Sequence, residues 1–158
     1  MADGPVPVSA HLRRMRRLTV AFLVSVPVAA AVSWLVEPRP SAASPTVVTA
    51  VCVAAALWIG FTAERDAGRR LEQARRAYAV QGDLELLLRH HLLAYAAVLL
   101  RLELIVVCGV VVAIWGAGGA FGLSLLALAA LMMALTWPTA DKTDLLVRRA
   151  RAERDERG

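Results

Sequence analysis

Three features of the sequence predict an all-α membrane protein of four transmembrane helices, an antiparallel up-down-up-down bundle with helices two and three extended into a cytoplasmic helical hairpin. Apolar residues make up 58% of the 158-residue chain, against the ~45–50% of an ordinary soluble domain. They cluster in four runs, 18–36, 46–63, 92–115 and 120–137. Each is close to the ~20 residues that a helix needs to cross ~30 Å of hydrocarbon. The basic residues cluster as well, before the first run, between the second and third, and after the fourth. Strands of a membrane barrel would be about half as long and would alternate polar with apolar residues; these runs do not alternate.

The first run follows Arg13, Arg14, Arg16 and Arg17 and precedes the small residues "SAAS", as a secretory signal would. It is longer than the roughly 7 to 15 apolar residues of a signal h-region. It also contains Pro27 and ends near Trp34, a residue type that anchors helices at the interface. A retained membrane helix is therefore expected. The connection "EPRPSAASP" to the second run is rich in proline, which excludes helix and favours extended or turn geometry. "GAGGAFG" joins the third and fourth runs and is short enough to make them antiparallel neighbours.

Between the second and third runs, residues 64–91 hold strong helix formers and one credible break, "QGD". Gly82 suits a helix C-terminus and Asp83 the N-cap of the next helix. Both membrane helices are thus expected to continue into the cytoplasm, with Leu71, Ala74, Tyr78, Leu84, Leu87, Leu88 and His91 along their seam. After Pro138, residues 138–158 read as a short helix running into a charged tail, with Leu145, Leu146 and Val147 set to touch the headgroups or the hairpin, or equally as a solvated tail. Arginine clusters flank three of the connections or ends, whereas the other two hold Arg39 as their one basic residue or no charge. The positive-inside rule then places the basic 1–17 segment, the hairpin and the tail in the cytoplasm, around a membrane domain over 18–137.

Two ionisable residues lie inside the third run. Taking Trp115 as the outer interface, Arg101 lies about 21 Å and Glu103 about 18 Å below it. Their i, i+2 spacing turns them about 200° apart, so they cannot pair with each other. Pivoting the hairpin at Gln81 and Gly82 places Glu64 one turn nearer the cytoplasm than Arg101, the direction in which arginine snorkels, and an Arg101–Glu64 pair is expected. For Glu103, the first helix offers Ser25 at similar depth and, near Pro27, a backbone carbonyl that the proline ring leaves unbonded. A protonated Glu103 donating to either is the expected arrangement. Cys52 and Cys108 fall at similar depth and read as packing residues rather than a disulfide or metal site.

Net charge is +5 with Lys+Arg 18, and Lys142 is the only lysine. With so much alanine and valine, that bias suggests a GC-rich bacterial genome and hence the inner membrane. The basic residues are accounted for by topology and by an anionic leaflet, leaving no call for nucleic acid. His90 and His91 point about 100° apart and read as interfacial rather than haem ligands. The serines and threonines of the membrane runs have no base and orienting acid at suitable spacing. No catalytic residue, metal site or cofactor is expected.

The stretch "ELIVVCGVVVAIW" is similar, over 13 residues, to the carboxylate helix of rotary ATPase proteolipids. The glycine repeat of that family's other helix is absent, since the first two helices contain only Gly60, and the family's function is not carried over. Small multidrug transporters share four spans and one membrane carboxylate, but carry the glutamate in the first span and lack the hairpin. The expectation is a non-enzymatic accessory or scaffold component of a membrane complex, partnered by another protein or by itself through small-residue faces such as Ala29–Ala31 and Ala54–Ala56. The alternative is a small proton-coupled transporter or channel subunit using Glu103.

Overall fold

The computed structural model describes residues 8–36, 43–116 and 118–156, apart from the side chain of Glu64. Most of the expected proline-rich turn, residues 37–42, lies outside these. The described residues form five helices and no strand: α1 (Val8–Leu35), α2 (Pro45–Gln81), α3 (Leu84–Trp115), α4 (Gly119–Leu135) and α5 (Ala140–Asp155). Three helices, α1, α2 and α3, are long and apolar enough to cross a membrane. The pair α4 and α5, bent by 54°, makes a fourth candidate if counted as one span. The chain is therefore built as a multi-pass membrane protein.

Helix α1 starts well before its apolar run, because nothing between Val8 and Pro27 breaks a helix. The basic segment is thus the first turns of the membrane helix. At the other break, Gly82 takes the left-handed conformation (φ 70°) that ends α2, and the Asp83 carboxylate accepts from Leu86 N–H at 3.0 Å to start α3. Helices of 37 and 32 residues meet there, about 55 Å and 48 Å long at 1.5 Å per residue.

Helix α3 is the hub, packing against α2, α4 and α1. Half of its apolar window is buried, against 11% for α1 and for α2. Leu99, Leu102, Ile105 and Val112 of α3 meet Leu126, Ala129 and Met133 of α4 in the main core. Many large apolar side chains, among them Val24, Val28, Trp58, Phe61 and Leu104, are exposed, as a lipid-facing surface requires.

The α3–α4 contact is closest at Gly109 and Gly122. A Cβ on Gly122 would stand 2.6 Å from the Gly109 carbonyl oxygen, and one on Gly109 would stand 3.0 Å from that of Gly122. Neither backbone leaves room for a methyl group, which is how small residues let membrane helices approach.

Helix α5 folds back on the hairpin. Ala150 joins Ala74, Tyr78, Leu84 and Leu87 in a second cluster, and Thr143, Leu146 and Val147 are also buried. Their spacing of three and four residues is one helical face, so the tail is docked rather than solvated. An Arg75–Glu153 ion pair closes the edge between α2 and α5.

Gly122→Ala is expected to destabilise the fold by about 1–3 kcal/mol through overpacking. Gly68→Ala, where a Cβ meets nothing within 4 Å, should stabilise by about 0.5–1 kcal/mol through helix propensity. Thermal midpoints in detergent separate the two, and equal shifts would remove the close-contact explanation.

Candidate functional site

Among the described polar side chains of the apolar layer, Ser33, Thr62 and Ser124 bond back to their own helices, whereas Arg101, Glu103 and Tyr95 are answered by a neighbouring helix. Arg101 reaches α2, where Nη2 donates to Asp66 Oδ2 at 2.6 Å and Nη1 to the Thr62 carbonyl at 3.2 Å. The expected partner, Glu64, has its side chain outside the described residues; the acidic partner that the structure records is Asp66, two residues nearer the hairpin turn. The guanidinium thus extends about 3 Å further along the axis than the register alone suggests, toward water, as snorkelling favours. The hydrogen bond from Arg101, then its charge and those of Arg69 and Arg70, hold the Asp66 carboxyl below its ordinary value against desolvation.

Glu103 faces the other way, to α1. Ser25 Oγ lies 2.8 Å from Glu103 Oε2 and 2.6 Å from the Phe22 carbonyl. A hydroxyl has one proton to give. With Glu103 ionised, Ser25 donates to only one of these two acceptors fully. With Glu103 protonated, the acid donates to Ser25 Oγ and Ser25 donates to Phe22, so both contacts are hydrogen bonds. The pair sits in a groove of about 490 Å³ between α1 and α3, whose walls are Val24, Val28, Val32, Val106 and Val110. Of the two acceptors expected for Glu103, Ser25 is the one in contact.

Two polar contacts were not legible in the sequence. Tyr95 Oη lies 2.6 Å from Thr19 Oγ1 and donates to the Thr136 carbonyl at 3.2 Å, tying α1, α3 and the end of α4 together. His11 Nε2 lies 3.2 Å from His91 Nδ1, with ring centroids 5.3 Å apart. His11 is 6% exposed, so the basic N-terminal segment contributes a buried side chain to the α1–α3 seam. The spacing of 80 residues carries no periodic signal; the only hint was His11 one helical turn before Met15, on the face that becomes buried.

Cys52 and Cys108 are free thiols, half-buried in the α2–α3 seam, with a hydrogen bond between their side chains. Among the described residues no group of three or more His, Cys, Asp or Glu side chains converges as metal ligands would.

Comparison with protein-family models, curated proteins and solved structures finds no match. The contacts themselves carry the reading.

Two predictions follow from this polar geometry. Asp66→Ala leaves the Arg101 charge at the edge of the apolar layer with only the Thr62 carbonyl, and should lower the thermal midpoint more than the double change Asp66→Leu with Arg101→Leu, which removes the unpaired charge. The opposite ranking would show that the pair is not structural. At the histidine seam, burial and then His11 push His91 down to about 4, and burial and then Arg14 lower His11. Because the folded value of His91 lies below the ordinary ~6.5, the unfolded chain binds more protons between those limits. The contribution is intact above pH ~6.5 and is lost as pH falls toward about 4. Melting across that window should show wild type losing stability on acidification relative to His91→Gln, and parallel curves would exclude the histidine as the cause.

Proposed function

We propose that this chain is a four-span inner-membrane protein, up-down-up-down with both ends cytoplasmic, that acts as a non-enzymatic accessory or scaffold component of a membrane complex. The observation that carries this reading is the continuity of α2 and α3 with the docked α5. The spans leave the apolar layer without a break and become the hairpin on which α5 is clamped by Ala150 and by Arg75–Glu153. A partner held on this head is thereby held at a set height above the bilayer. Val80 and Leu145, 79% and 49% exposed, are apolar positions on the head that a protein partner would cover. The arginines of α1, α2 and α5 supply the attraction to an anionic leaflet, at about 1 kcal/mol each. Ala54 and Ala31, exposed on the small-residue faces, leave room for a second copy. No nucleic acid is involved.

Purification of the tagged chain in a gentle detergent should recover a stoichiometric protein partner or a homo-oligomer. Recovery of a lone monomer from every mild detergent tried would defeat the scaffold reading.

A second reading is favoured by one observation, the opening of the Glu103–Ser25 pair into the valine-lined groove. A carboxylate so placed suits proton-coupled transport or a channel subunit. Glu103→Gln keeps the hydrogen bonding and should leave assembly unchanged in a scaffold, with Glu103→Ala weakening it. A proton flux across proteoliposomes that is abolished by Glu103→Gln would overturn the scaffold in favour of transport.

A further inference from the structure

The N-terminal turns of α1 and of α3 line a crevice of about 450 Å³, within the ~300–1,000 Å³ usual for small-ligand sites. Arg14 on α1 and Arg89 on α3 line it, together with Leu92 and Leu93, which follow Arg89 by about one turn in the direction of the apolar run. We propose that this crevice binds an anionic phospholipid, with the phosphate between Arg14 and Arg89 and an acyl chain along Leu92 and Leu93. The inference rests on the reading that the arginine-rich ends face an anionic leaflet.

Three observations support it. First, neither arginine is in an ion pair among the described residues, although Arg75 and Arg76 of the hairpin are. Glu85 also lines the crevice, one turn before Arg89, and offsets one of the two charges without engaging either. The balance stays positive, and Arg13 and Arg17 add to it from α1. Second, His11 is buried beside these arginines, and His91 occupies only its Nε2; Nδ1 makes no hydrogen bond among the described residues. A phosphate oxygen would select the tautomer in which His91 Nδ1–H donates to His11 Nε2, leaving His11 Nδ1–H as a donor for the anion.

Third, the site changes character at the right height. Its arginines lie at 14 and 89, just before the apolar runs that begin at 18 and 92, and Leu93, 56% exposed, continues the crevice toward the acyl layer. A soluble phosphate has no use for that apolar end, whereas a phospholipid spans both. Basic crevices between membrane helices on the cytoplasmic side are the kind of place where anionic headgroups dock.

Native mass spectrometry of the full chain in detergent, titrated with phosphatidylglycerol or phosphatidylcholine of identical acyl chains, tests the proposal. Wild type should retain phosphatidylglycerol preferentially, and Arg14→Gln with Arg89→Gln should weaken that binding roughly thirtyfold. Arg148→Gln with Arg151→Gln removes the same charge from α5 and should leave it nearly unchanged. Equal losses in the two double variants would overturn the site in favour of diffuse charge attraction. Displacement of the lipid by inorganic phosphate at matched concentration would overturn it in favour of a soluble anion. Because both variants alter exposed side chains, unchanged melting confirms folding, and if the crevice variant melts early, Leu93→Ser, which should selectively weaken longer-chain phosphatidylglycerol, decides. Failure of the orientation is separate: protease cleavage of both termini only from the outer side of intact cells would refute it whatever the lipid titration gives.

Discussion

Gly82 and Asp83 reverse the chain between two helices of 37 and 32 residues, and the register of every contact between α2 and α3 depends on that reversal. Gly82 ends one helix in a conformation that a side chain would strain, and the Asp83 carboxylate begins the next within two residues. So short a reversal leaves little freedom for sliding. It brings Tyr78 beside Leu87 at the tip, Asp66 to Arg101 at the edge of the apolar layer, and Cys52 to Cys108 deeper still. The Arg154 side chain lies where a Cβ on Gly82 would be, so the same turn also receives the end of α5.

With α2 fixed on one side of α3, the polar pair on α3 specifies what lies on the other. Arg101 and Glu103 are about 200° apart around the helix, and a charge or a carboxyl facing lipid on either side is costly. One side is met by Asp66 and Thr62 of α2, the other by Ser25 of α1. The two residues that seem out of place in an apolar run thus act as address labels for two neighbours. Gly109 admits the third neighbour, α4, by its lack of a side chain.

The helices and the hairpin break were legible because each rests on local chemistry: apolar length, a glycine able to turn left-handed, and an aspartate able to cap. Ser25 was legible as the partner of Glu103 because depth along a helix is nearly linear in residue number. For Arg101, counting back through the turn leads to Glu64, whose side chain lies outside the described residues, and does not lead to Asp66, which the length of an arginine reaching toward water brings within contact. The His11–His91 contact and the Tyr95–Thr19–Thr136 knot were not legible at all, because they depend on how α1 lies across α3 and α4, a crossing that no spacing within one helix encodes. Docking of α5 was only half visible: Leu146, Val147 and Ala150 mark an apolar face, but nothing local names the hairpin as the surface that covers it.

The arrangement of these polar groups bears on the choice between scaffold and transporter. A proton path needs successive titratable or hydroxyl groups from one side of the membrane to the other. Toward the C-terminal ends of α1 and α3 the groove continues from Glu103 through Val28, Val32, Val106, Val110 and Val111, none of which exchanges a proton. Beyond Ser25 the next polar contact is the Phe22 carbonyl, an acceptor already inside the backbone of α1, so the chain of contacts ends on that helix instead of leading onward. Arg101, the nearest ionisable group, is turned to the far side of α3 and bonded to α2. A carboxyl whose contact with Ser25 joins α3 to α1 does the work of interhelical glue, and that balance favours a structural role for Glu103.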